Sequence, residues 1–238
     1  MKSLLRKMPG FRAAKFVYHL ARGVESRNAA LLLLRPPDDL YQPYGTTSND
    51  RYPEIFHQVR ERIGDGEDRR ILSFGCATGE EVFTLRRYSP QAMIVGLDIN
   101  RHNIRVSRSR LRKIKDPRIV FSVAGSAANE ASASYDAIFA MAVFRHGDLN
   151  KIPPPPHCAH RIRFADFEQS VTDLARCLKP GGLLVIRHAM FRFAETTVAS
   201  QFETVLSLDP GENGPLYDRG NCILPGAVDP NVVFRKTE

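Results

Sequence analysis

Two short apolar runs, each closed by a different kind of loop, constrain this chain more than any other feature. The first reads Ile71-Leu-Ser-Phe-Gly75-Cys-Ala-Thr-Gly79-Glu-Glu81, and the second Ile94-Val-Gly-Leu-Asp98-Ile-Asn100. Brief apolar runs bounded by turn residues are what strands buried on both faces require. Gly75 and Gly79 allow sharp backbone bends and close approach of a ligand. The segment from Glu80 to Arg87 reads as a helix whose first N–H groups point into that loop. Asp98 follows Gly79 by about nineteen residues and ends the second run, where a carboxylate can accept both hydroxyls of a ribose. The order predicts a βαβ unit that holds an adenosine-bearing molecule.

A nicotinamide dinucleotide fits this loop poorly. Its fingerprint wants G-x-G-x-x-G, with the middle glycine opening space for a pyrophosphate. Here Cys76 or Ala77 occupies that place, and Glu80 and Glu81 add two acids that would repel phosphate. S-adenosylmethionine carries an ammonium and a sulfonium and no phosphate, so the charges favour it. Three further strands are predicted over Ile119–Ala124, Tyr135–Met141 and the run after Lys179-Pro-Gly-Gly182, and two last ones over Phe202–Leu208 and Val232–Arg235.

With these elements in this order, residues 46–238 resemble the class I S-adenosylmethionine-dependent methyltransferases. The resemblance implies an α/β fold, a Rossmann-like doubly wound seven-stranded sheet with its last strand antiparallel. It also implies that Phe74, Gly75, Cys76, Ala77, Gly79 and Glu80 surround the methionine part of the cofactor and Asp98 its ribose. Ile99 and Gly125-Ser126-Ala127 would flank adenine, and Met141 and Ala142 would face the methyl-bearing sulfur. Within that superfamily the chain is most similar to the chemotaxis-receptor methyltransferases, through Cys76-Ala-Thr-Gly-Glu-Glu-Val-Phe-Thr-Leu85 and a Thr-x-x-x-Arg-x-x-x-x-Phe pattern at Thr47, Arg51 and Phe56. That branch implies cofactor contacts from Thr47, from Arg51 at the carboxylate, and from Glu80, with Glu81 as its neighbour. The chain departs from the branch at Met141-Ala142-Val143, where an Asn is expected, so receptor specificity does not carry over.

At 238 residues and 43% hydrophobic, the chain can bury a full core in one domain. No apolar run approaches membrane-spanning length. Cys76, Cys158, Cys177 and Cys222 show no paired spacing, which predicts a reducing, cytoplasmic setting. The net charge of +8 gathers on residues 101–118, with eight Arg or Lys and one Asp. Ile104, Leu111 and Ile114 recur there at helical spacing, so this reads as a helix with a basic outer face. A solvated face is the plain reading; a surface for nucleic acid or an anionic membrane is the sharper one. Residues 1–45 form a predicted helical N-terminal cap, basic and amphipathic over their first 24 positions. A lid over the acceptor pocket is the preferred reading, beside an interfacial helix or a targeting peptide.

The acceptor side offers fewer signals. Methyl transfer is an in-line displacement, so alignment and desolvation dominate. Just past the fourth strand, His146 is the candidate base and Arg145 a candidate clamp for an acceptor anion; ordinary loop polarity is the competing reading of both. Tyr41, Tyr44, His188, Tyr217 and Arg219 are candidate pocket-lining residues. His157-Cys158-Ala-His160 groups three soft-metal ligands, but nothing completes a coordination shell, so no metal is expected. The expected acceptor is a small molecule, with a protein side chain or nucleic acid as the alternative, or a cofactor-binding protein without catalysis. The oligomeric state is not legible.

Overall fold

The computed structural model describes residues 40–42, 50–211 and 214–237. The expected cap over residues 1–45, apart from residues 40–42, and the candidates Tyr44 and Thr47 lie outside them.

The described chain opens with α1 (Pro53–Ile63), β1 (Arg70–Phe74), α2 (Glu80–Tyr88), β2 (Met93–Asp98), α3 (Arg101–Ile114) and β3 (Ile119–Val123). It continues with β4 (Tyr135–Met141), α4 (Phe164–Cys177), β5 (Leu178–Arg187), β6 (Phe202–Ser207), β7 (Leu216–Tyr217), β8 (Ile223–Leu224) and β9 (Asn231–Lys236). The main sheet has the order β3-β2-β1-β4-β5-β9-β6. Strands β1 to β5 are parallel, and β9 enters antiparallel to both β5 and β6. This is the seven-stranded, doubly wound sheet expected, with the last strand in the chain as the reversed one.

Each face of the sheet carries its own core, and successive residues of one strand alternate between them. Ile71, Phe139 and Val185 pack with Ile55, Phe56, Val82, Leu85 and Ile104 of the first three helices. Leu72, Ile138 and Leu184 pack with Phe167, Val171 and Leu174 of α4. Because both faces are covered, β1, β2 and β4 read as predominantly apolar runs without polar alternation. Pro53 starts α1 at its first turn, where a missing N–H costs nothing. Asn100 caps α3 by accepting from His102 N at 2.9 Å.

β5 begins ahead of the Pro-Gly-Gly turn, not after it as expected. Leu178 already pairs with Tyr135, and the ladder resumes only at Ala137–Leu183 after a bulge. The bulge lets Lys179 Nζ reach Asp136 at 2.7 Å, where Arg69 Nη1 (2.9 Å) and Arg70 N (2.8 Å) also donate. Burial alone would push the Asp136 carboxyl up; Lys179 and the two arginines override it and hold it below the usual range. This cluster fastens the sheet at the edge opposite the glycine loop.

The β7–β8 hairpin was not legible in the sequence, since two-residue strands carry no periodicity. It pins the proline run: Tyr217 Oη donates to Pro155 O at 3.1 Å and Ile223 N to Pro156 O at 2.9 Å. Among the described residues, no helix is long and apolar enough to cross a membrane.

Candidate active site

The C-terminal ends of β1, β2, β4 and β5 meet at one edge of the sheet, and non-ideal backbone collects there. Gly75 (φ 74°), Ala77 (φ 48°) and Gly79 (φ 92°) follow β1, Ala142 (φ 57°) follows β4 and His188 (φ 55°) follows β5. Left-handed alanine and histidine are uncommon, and such strain concentrates at functional edges. At Gly75 the requirement is double, because a Cβ there would also lie 2.5 Å from Val143 Cγ2. The loop is folded over β2 by Gly75 N and Cys76 N, which both donate to Leu97 O at 2.8 and 2.9 Å.

Asp98 braces this loop. Its Oδ2 accepts from Ala77 N at 2.8 Å, while Oδ1 accepts from Asn100 N at 2.8 Å and Asn103 Nδ2 at 3.2 Å. The residue is 8% exposed. Burial raises its pKa, and the three donors work against that rise. Oδ2 keeps an acceptor site free of described partners, compatible with one further hydroxyl donor.

The two neighbouring acids separate. Glu80 turns outward to α3: Arg110 Nη1 donates to its Oε1 at 2.5 Å and Thr78 Oγ1 to its Oε2 at 2.7 Å. Glu81 turns inward to β1, where Ser73 Oγ donates to its Oε1 at 2.7 Å. Burial pushes the Glu81 carboxyl up to about 7, against the lowering effect of the serine. Unlike Glu80, it has no basic hydrogen-bonding partner among the described residues.

Beside Glu81 stands Tyr52, the residue ahead of α1. The charges of Arg51, Glu81, Arg187 and Arg145 all reach its phenol, whose pKa is raised chiefly by burial. Arg51 lies over the Tyr52 ring at 5.3 Å, and the His188 ring packs against it at 5.6 Å. Burial lowers the Arg145 pKa, and the charge of Arg51 lowers it further. The charges of Arg51, Arg145 and Arg187 thus all bear on one tyrosine, and the sequence had marked only the first two.

Other candidates fall elsewhere. His146 is 6% exposed and accepts from Asp148 N through Nδ1 at 3.1 Å, capping a short 3-10 turn at residues 147–149. Its pKa is lowered by burial, and its charged neighbours are Asp148, Arg161 and His160 rather than the arginines around Tyr52. Adjacent residues here face opposite ways. Tyr41 belongs to the α4 side of the core; its hydroxyl is 2.7 Å from Asp166 O and 2.8 Å from Ser170 Oγ. Tyr217 is fully buried under the hairpin, and Arg219 lies exposed over the Phe164 ring. These two, with Tyr41, are fold residues in the structure and do not line the edge where the loop sits.

Phe74 is core, packed on Phe144. Cys76 is buried with its pKa raised by desolvation, as a packing thiol should be. Ile99, Gly125 and Ser126 stay partly open near the end of β2, whereas Ala127 is buried and its carbonyl accepts from Arg176 at 3.0 Å. Met141 ends β4 and Ala142 follows it, its carbonyl accepting from Gln42 Nε2 at 3.0 Å. Cys222 Sγ meets His157 Nδ1 at 3.5 Å, a contact across the chain that no local spacing could indicate.

A family model described as a methyltransferase domain matches residues 65–211, more than half of the chain. The chain belongs to that family. Its architecture is that of the class I S-adenosylmethionine-dependent methyltransferases. The chain is 27% identical over 191 residues to Methyltransferase GfsG of Streptomyces halstedii, covering 76% of this chain. It spans 62% of that relative's length. Among solved structures it is similar to the YcgJ protein of Bacillus subtilis, at 17% identity, TM-score 0.43, and coverage of 57% of this chain and 50% of the other. It is also similar to phosphoethanolamine N-methyltransferase 2 of Haemonchus contortus, at 19% identity, TM-score 0.44, and coverage of 72% and 35%.

The residues present fit that cofactor. The loop offers an inward carboxylate without a basic hydrogen-bonding partner, Glu81, where an ammonium needs one. Arg51 offers a guanidinium that the cofactor carboxylate can use. Asp98 Oδ2 offers an acceptor for a ribose hydroxyl.

Proposed function

We propose that this methyltransferase passes the methyl group of S-adenosylmethionine to a small-molecule acceptor bound at the ends of β4 and β5. The observation that carries the reading is the inward Glu81 beneath the glycine loop, held by Ser73 and by no basic hydrogen-bonding partner among the described residues. In this arrangement Glu81 holds the cofactor ammonium, Arg51 its carboxylate and Asp98 its ribose. Gly75, Ala77 and Gly79 give the backbone the close approach that a thioether nucleoside requires. Glu80 is a support residue, fixing the loop to α3 through Arg110.

The cofactor supplies an activated methyl carbon: the acceptor lone pair bonds to it as the carbon–sulfur bond breaks, and that electron pair stays on sulfur. The protein therefore aligns and desolvates. Ala142 and Met141 border the methyl, and Gln42 Nε2 donates to Ala142 O across the end of β4. His146, with Nδ1 already an acceptor inside the fold, acts as a cap for the loop that aims Arg145.

A small acceptor is favoured over nucleic acid because part of the basic α3 is turned inward. Arg108 donates twice to Phe121 O, at 3.0 and 2.6 Å, and Arg110 to Thr78 O and Glu80. Incubation with methyl-labelled cofactor and a deproteinised metabolite extract tests the reading. Label should enter the ultrafiltrate; transfer only to added protein or nucleic acid would replace the small acceptor by a macromolecular one, including a chemotaxis-type protein substrate.

A further inference from the structure

The arginine group holds more positive charge than the cofactor can use. Arg51, Arg145 and Arg187 all act on the Tyr52 hydroxyl, and among the described residues Glu81 is the acid that does. The α-carboxylate of the cofactor accounts for one guanidinium, and its ammonium takes Glu81. Two guanidiniums remain.

Arg187 is the more telling of them. Its Nη2 donates to Asp209 O at 2.8 Å, while Nε and Nη1 are buried without a hydrogen-bond partner among the described residues. The Tyr52 hydroxyl is likewise buried and unpartnered. Native proteins rarely leave such groups unsatisfied, and a guanidinium is the costliest kind to strand. Arg187 closes β5 and Arg145 follows β4, so both flank the edge where the acceptor of an α/β enzyme binds. A small cavity of about 20 Å³ adjoins Arg187 on its β9 side, lined also by Phe193, Phe234, Asn231 and Asp229. Asp229 does not cancel the charge, because its carboxylate accepts from Asn231 N and Arg192 is the cation acting on it.

We propose that Arg145, Arg187 and the Tyr52 hydroxyl form an oxyanion clamp, so that the acceptor carries a phosphate or carboxylate group near its methyl-accepting atom. The guanidinium forks suit the planar or tetrahedral oxygens of either group, and the phenol adds a single donor. The clamp rests on the methyltransferase reading of this edge.

The test titrates inorganic phosphate, and separately acetate, into the full chain saturated with S-adenosylhomocysteine, by calorimetry at constant ionic strength. One saturable site is expected, weakened about tenfold or more by Arg187→Gln and by Arg145→Gln. Affinity for S-adenosylhomocysteine in phosphate-free buffer should stay within about threefold in both. Tighter binding of phosphate assigns a phosphate-bearing acceptor; tighter binding of acetate assigns a carboxylate. Tyr52→Phe gives a readout independent of folding risk: it should keep its thermal stability without phosphate and lose part of the stabilisation that phosphate confers. No saturable binding, binding indifferent to the variants, or phosphate that competes with S-adenosylhomocysteine would each overturn the clamp. Failure of wild-type protein to bind S-adenosylhomocysteine would instead overturn the cofactor site, while phosphate titration of the free protein would still judge the clamp.

Discussion

Glu81 makes cofactor binding depend on pH in a way that can be worked out. Its carboxyl stands at about 7 in the free protein, against an ordinary 4.5, because burial disfavours the charge. A raised carboxyl favours folding fully below pH 4.5 and loses that advantage as pH rises through 7. The total is about 3 kcal/mol from the size of the shift. A bound ammonium reverses the burden by pairing with the carboxylate. If pairing restores the ordinary value, affinity for S-adenosylhomocysteine falls about tenfold from pH 8 to pH 6. Binding then releases about 0.9 proton at pH 6 and about 0.1 at pH 8. Calorimetry in buffers of differing ionisation enthalpy reads both quantities. Glu81→Gln should bind more weakly and lose the slope. A flat profile in the wild type, or a slope that survives the substitution, refutes the assignment.

Gly75→Ala should weaken cofactor binding and lower stability by roughly 1–3 kcal/mol, from the left-handed backbone and the contact with Val143; adding Val143→Ala should recover the steric part, measured by denaturant unfolding of the four proteins in a cycle. Asp98→Asn places an amide against backbone donors, so the loop should loosen by roughly 1–3 kcal/mol; a thermal midpoint within a degree of the wild type would contradict the brace. Asp136→Asn should destabilise the protein at neutral pH and flatten its acid unfolding. The Asp136 contribution is present above the ordinary carboxylate pKa and disappears as pH falls through the lowered value in the folded state.

The strands were legible because both faces of the sheet are covered, which writes them as apolar runs between turn residues. The glycine loop and Asp98 were legible because their backbone demands select residue types. Which of Glu80 and Glu81 faces inward was not, since adjacent residues on a helix differ by a rotation that the sequence does not display, and Arg110 of α3 decides it. The same limit applies to Arg145 and His146. Tyr41 and Tyr217 carry polar tips and so resemble pocket residues, yet their rings belong to the core and their hydroxyls meet backbone carbonyls distant in the chain. Arg187 drew no notice beside His188, because a stranded guanidinium is visible only once its surroundings are folded.

The central claim is that the bend after β1 and the aspartate after β2 hold S-adenosylmethionine, ammonium inward. A crystal structure of the chain with S-adenosylhomocysteine tests it most directly. The account predicts the amino group within about 3 Å of Glu81 and a ribose hydroxyl at Asp98 Oδ2. A nucleoside bound with its amino group away from Glu81, or a loop that stays closed while the ligand sits elsewhere, would contradict it.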